Sequence, residues 1–384
     1  MMIKVLKYLF FVCTLSLADM SFAKLWISEN QWSAKWESEY SSWIANGVDK
    51  NFFVKANLET DCADAVIALR IIFAKQNKLP FQFTTNLGES LSNLSARFNL
   101  SDNNKNWFED NNFVSALKFI LNNTSSKTLI KDSVAIGLSV GEIKSGSFFI
   151  HDFNNSGHVD LVHKVILNGQ IYPIRMLSST VPKKTRELIE YPFYFTSKPI
   201  HNKTGFFRFK TVLEKNDETL TLANNNKDNL EQYSTINLDV VFSDYVSLKL
   251  LKTHLTGYSK AYDLINLLAK KINERINIVR DGFNYCVQHD CSDQSTGFYN
   301  YSTPSRDSNI FYIVMQLQAA LAQSQNQQDE FQQTSELVSE FYNLTFLIEN
   351  DLKLTGKQVM NTWLLGKYSS NPQDSIAARW GLGR

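Results

Sequence analysis

The stretch from Thr60 to Pro80 constrains the fold most, because it reads as a helix with hardly any face left for water. Thr60 or Asp61 can cap it, and Asp61 with Asp64 has the spacing of a capping box. Val66, Leu69, Ile72 and Phe73 then form one apolar stripe, while Ala65, Ala68 and Ile71 cover much of the remaining surface. Asn77 and Pro80 mark its end. A helix over 60–79 with this pattern has to be buried on most sides, so other layers must enclose it. Cys62 falls in its first turn.

The surrounding sequence supplies those layers. Residues 24–50 read as a helix, with Trp32, Trp36 and Trp43 on one stripe and Trp26 and Tyr40 nearby. Core packing is the favoured reading of these rings, and a sugar-stacking platform is the alternative. Residues 81–130 are polar, with a helix over 107–122. From 133 to 177 the pattern is that of strands: Gly146–Ile150, then His158–Leu167, an Asn168-Gly169 hairpin turn, and a return over Gln170–Met176. Segments 191–195 and 205–213 read as further strands, and 216–232 as a linker or exposed loop. Helical periodicity resumes over 246–280, 308–350 and 354–367, around a Tyr/Ser/Asp-rich loop at 284–306. The expected class is α+β, with domains at 24–240 and a helical region at 241–384.

Export is expected for this chain. Lys4 and Lys7 precede an apolar run from Tyr8 to Ala18, and Ser21-Phe22-Ala23 offers a cleavage site, so 1–23 reads as a bacterial signal peptide. The run is short for a bilayer span, which leaves no stable membrane anchor after cleavage and a periplasmic or extracellular protein. Basic and acidic residues nearly cancel, 39 against 38, which argues against nucleic acid as a partner. The Asn-x-Ser/Thr triplets are read as composition, not as glycosylation sites.

Of the four cysteines, Cys13 leaves with the signal, and Cys286 and Cys291 stand close enough to close a small disulfide loop. Cys62 is left alone. The first turn of a helix presents unpaired N–H groups and a positive dipole end, which favour a thiolate there. The Cys62 N–H can also serve as an oxyanion donor. A buried structural cysteine is the competing reading.

A nucleophilic thiol needs a base, and His158 is the choice among six histidines because it begins a strand at the edge of a loop. His163, an odd number of residues on, faces the other way in a regular strand. Asp160 shares a face with His158, but two positions along one strand looks an awkward reach. Across the hairpin, Gln170, Tyr172 and Arg175 are candidates for the group that orients the imidazole; Gln170 and Tyr172 are named, and Gln170 fits the role better chemically.

These motifs resemble those of NlpC-type papain-like cysteine peptidases and amidases. Thr60-Asp-Cys62-Ala-Asp-Ala resembles the Asp-Cys-Ser/Ala start of that family's central helix. Gly146-Ser-Phe-Phe-Ile150 resembles its Gly-Asp-Leu-Val/Phe-Phe strand, and Gly157-His-Val-Asp-Leu-Val162 its His-Val-Gly-Ile strand. Ser147 and Asp160 depart from the pattern, and the 96-residue gap between Cys62 and His158 implies an insertion near 81–130. The resemblance implies a papain-like core and cleavage of an amide bond in a peptide or cell-wall (peptidoglycan) stem peptide. That chemistry requires no metal or cofactor.

Two other readings stand beside the hydrolase. His151, Asp152, His158, Asp160 and His163 crowd thirteen residues and are ligand types zinc accepts, although strand alternation should scatter them. A non-catalytic exported binding module of the same shape is the third reading.

Overall fold

The computed structural model describes residues 24–102, 105–153, 156–169, 171–195, 198–215, 219–234 and 241–383. The proposed signal segment 1–23 and Gln170 lie outside them. The class is α+β, with antiparallel sheets.

The central helix runs Cys62–Gln76, with Asp61 as its cap and both bonds of the capping box formed. Every residue from Cys62 to Lys75 is buried. Its polar members are matched from neighbouring elements. Arg70 forms a two-pronged pair with Glu37 at 2.9 and 2.6 Å and lies over the Trp32 ring. Lys75 meets Asp110 at 3.4 Å, and Asp64 meets Lys183 at 2.9 Å. Fully burying a large apolar side chain such as Ile72 or Phe73 contributes about 1.5–3 kcal/mol, so this helix anchors its layer.

A six-stranded antiparallel sheet carries the helix. Its order is Ser133–Ala135, Gly205–Phe209, Phe148–Phe153, Ser156–Val165, Ile174–Ser178, Ile189–Pro192. Side-chain alternation gives it two apolar faces. Phe148, Ile150, Val159, Leu161, Leu177 and Phe207 pack with the Cys62 helix and with helices Ala34–Gly47 and Asn111–Asn123. Phe149, Val162, Met176, Tyr191 and Phe206 pack on the other side with the helices that follow residue 241. That second layer contains the 30-residue helix Gly257–Cys286 lying against Pro304–Ser324. The helical region is therefore not set apart from the sheet: the two share one core.

Several expectations are corrected. The first helix begins at Ala34, because Ser33 caps it; Trp26 and Trp32 reach the core from the extended segment before it. The aromatic rings of 24–50 pack in the core or against it, as the favoured reading has it. The 246–280 stretch is two helices, Phe242–Leu251 and Gly257–Cys286, separated at Lys252, whose φ of 63° ends the first. Of the expected linker or exposed loop over 216–232, residues 223–230 are a partly exposed loop, but both of its ends are built into the fold. Thr219–Leu222 completes a hairpin, and the fully buried Gln232 bonds the backbone of Ile136 and Phe206. Residues 345–355 form a hairpin that interrupts the expected helical run. Cys286 and Cys291 are joined as a disulfide.

Candidate active site

The segment ahead of the central helix is tied to the end of strand Ile174–Ser178. The Thr60 N–H donates to the Lys184 carbonyl at 3.3 Å, and the Ser179 hydroxyl donates to the Thr60 carbonyl at 3.1 Å. These bonds bring the first turn of the helix to the rim of the sheet. The Cys62 N–H is one of the first-turn donors with no intrahelical acceptor. Its side chain is 8% exposed and borders a cleft of about 430 Å³.

His158 lies on strand Ser156–Val165 and lines the same cleft. The Cys62 sulfur is close enough to its ring to favour the charged imidazole. The Nε2 atom stands 3.1 Å from Asp160 Oδ1 and 3.1 Å from Ser178 Oγ. The Ser178 hydroxyl donates to the Ser179 carbonyl at 3.0 Å, so towards the imidazole its oxygen is an acceptor. With two acceptors facing it, Nε2 carries a proton, assigned from this network. That leaves Nδ1 as the ring nitrogen able to exchange a proton.

Asp160 is the orienting group, and its reach was misjudged from the sequence. Side chains two apart on a strand stand on the same face, roughly 6.5–7 Å apart along it, and an imidazole is long enough to close that gap. Asp160 is fully buried. Its second oxygen, Oδ2, lies 2.8 Å from His151 Nε2, and the carboxylate is near enough to hold the Tyr191 hydroxyl well above its ordinary range, behind the larger effect of burial. His151 and His158 are direct partners on adjacent strands, with ring centroids 4.8 Å apart.

The electrostatics separate the two histidines. Burial works against a charge on His158, but the Asp160 carboxylate and the Cys62 sulfur overcome it and hold the imidazole up, at about 10. At His151 burial wins over Asp160, and the ring is pushed down to about 4. Burial would raise Asp160, yet His158 and His151 together hold its carboxyl well below the usual range. Thus one imidazole of the pair takes a proton readily and the other does not.

The remaining candidates fall elsewhere. Tyr172 is buried under the C-terminal helices, where its N–H donates to Asp263 Oδ2 at 2.9 Å and its hydroxyl meets Asp244 at 3.4 Å. It does not orient His158. The cause is register: the strands leave the Asn-Gly turn as Val165 opposite Ile174, further from it than a two-residue hairpin allows, with an irregularity between Val162 and Lys164. Arg175 pairs with Asp263 at 3.0 Å. His163 bonds Glu190 at 2.5 Å and stays outside the cluster. Strand alternation does not scatter all the ligand types either, since His151, His158 and Asp160 offer atoms within 4.8 Å of one another and could hold a metal. Cross-strand pairing brings the first two together, and the i, i+2 offset adds the third.

The far wall of the cleft belongs to the helical region. Lys271 and Glu274 come from the long helix, Phe298 and Tyr299 from the short helix Thr296–Tyr301, and Arg306 from the start of the next. Arg306 is fixed by bonds to Thr180 Oγ1 at 2.9 Å and to the Val181 carbonyl at 2.6 Å. The short helix rests on the disulfide: a Cβ added at Gly297 would meet the Asp290 carbonyl at 2.4 Å and Cys291 Sγ at 2.7 Å.

Compared with known proteins, the chain matches no family model, no curated protein and no solved structure. Among the described residues, no helix is long and apolar enough to cross a membrane.

Proposed function

We propose that this protein is an exported bacterial cysteine hydrolase with an NlpC-type papain-like core, cleaving an amide bond in a peptide substrate of the cell-wall stem-peptide class. The observation that carries the reading is a thiol in the first turn of a capped, buried helix, lining one cleft with an imidazole that a buried carboxylate backs. The cleft also speaks against a purely structural cysteine, because the sulfur is not sealed in hydrocarbon.

In this reading the Cys62 sulfur attacks the scissile carbonyl carbon, and the Cys62 N–H stabilises the oxyanion that forms. The imidazolium of His158 gives its proton to the leaving nitrogen as the C–N bond breaks, leaving a thioester. His158 then takes a proton from water, whose oxygen attacks the thioester carbon. The acid product departs and the thiol is restored. Asp160 fixes the ring and balances its charge without itself taking a proton.

The test is iodoacetamide labelling of the purified protein from pH 5 to 9, with the modified cysteine located by mass spectrometry. Rapid labelling of Cys62 below pH 7, lost in His158→Ala, is the expected result. Labelling that changes on adding a chelator favours a metal at His151, His158 and Asp160 instead. No labelling before denaturation would leave a non-catalytic module.

A further inference from the structure

A carboxylate shared by two imidazoles has more partners than an orienting residue requires. Asp160 sends Oδ1 to His158 and Oδ2 to His151, and it has no exposure to water. A buried carboxylate oxygen needs a hydrogen-bond partner. His158 reaches only Oδ1, so the donor that meets Oδ2 fixes the other half of the carboxylate. His151 is well placed for this. It sits directly across the strand pair from His158, and its ring is held by Phe195 at 4.2 Å and Phe149 at 6.0 Å between centroids. It is 6% exposed, so solvent cannot readily replace it.

We infer that His151 is a positioning residue for the hydrolase: its Nε2–H donates to Asp160 Oδ2 and holds the carboxylate in the orientation that His158 needs. The two rings thus divide the work. His158 exchanges a proton with the thiol, whereas His151 keeps its own. Asp160 and His151 both face the layer formed after residue 241, which supplies part of the dry surroundings on which the division depends.

This inference rests on the proposed Cys62–His158 chemistry, and the experiment separates the two. The iodoacetamide rate at Cys62 is measured against pH in the full chain for wild type, His151→Gln, His151→Phe and His158→Ala, with thermal unfolding recorded for each. His151→Phe fills the ring space but lacks the donor; it should slow labelling at pH 6 by about tenfold or more, equivalent to a one-unit move of the pH profile. His151→Gln keeps an N–H donor and should stay within about threefold of wild type, set against the tenfold that one unit represents. A folded His151→Phe protein with an unmoved profile, or a Gln variant as impaired as the Phe variant, overturns the inference. An unmoved profile in His158→Ala shows instead that the catalytic reading itself has failed. Should His151→Phe not fold, histidine-selective NMR of the wild-type protein decides: a proton on His151 Nε2 supports the role, and a ring protonated at Nδ1 alone refutes it.

Discussion

Removing the charge of Asp160 is the perturbation whose size the structure sets most directly. In Asp160→Asn, His158 keeps its place beside Cys62 but loses the carboxylate 3.1 Å from Nε2. With Asp160 present the ring is held at about 10. Without it, the Cys62 sulfur alone stands against burial, whose direction His151 shows: that ring, buried in the same cluster, lies at about 4 even with Asp160 beside it. His158 in the variant should therefore titrate below its wild-type value, towards or below the ordinary value of about 6.5. At pH 7 its protonated fraction would fall from nearly complete to between roughly a quarter and a thousandth, bracketed by the ordinary value and one resembling that of His151. The assay is NMR titration of the histidine ring resonances in both proteins. A wild-type His158 already titrating near its ordinary value, or a variant unchanged from wild type, would refute the reasoning. The same shift links to stability. Because the folded value lies above the unfolded one, the contribution is complete below about pH 6.5 and is lost as pH rises towards 10, by about 5 kcal/mol as an upper bound.

Two further outcomes follow from the walls of the cleft and their support. Asp307→Ala removes the carboxylate that the fully buried Arg275 bonds at 2.5 Å and that also accepts from Thr303 and Ser370; urea unfolding should show a loss of about 3–5 kcal/mol, the cost of stranding a buried charge. Gly297→Ala must displace Thr296–Tyr301 from the disulfide loop, since the added carbon meets backbone. It should change the reactivity of Cys62 towards bulky alkylating reagents more than towards iodoacetamide, measured by competition; equal effects on both would count against the role given to that wall.

The central helix was legible almost to the residue, because its cap, its apolar content and its terminator agree: Asp61, the 63–74 run and Asn77 all point one way. The strand bearing His158 was read over His158–Leu167, two residues later at each end than Ser156–Val165. The first helix was read to start ten residues too early, at 24 where Ala34 begins it, since Trp32 happens to continue the spacing of Trp36 and Trp43, although Ser33 was available as a start signal. The orienting residue was missed for a geometric reason. Asp160 was judged by backbone distance along its strand, when the length of the His158 ring closes that gap. His151 opposite His158 depends on a register that no local pattern encodes. The contribution of residues 271–309 to the cleft was illegible, because it arises only when the second layer closes over the sheet.

The thiol–imidazole pair is tested most directly by trapping the covalent intermediate. The protein is mixed with p-nitrophenyl acetate, quenched in acid within the first turnover, and examined by intact-mass and peptide mass spectrometry. A single acetyl group on Cys62, formed much more slowly in His158→Ala and discharged by hydroxylamine, is the expected result. Acetylation confined to lysines, with Cys62 modified only after denaturation, would contradict it.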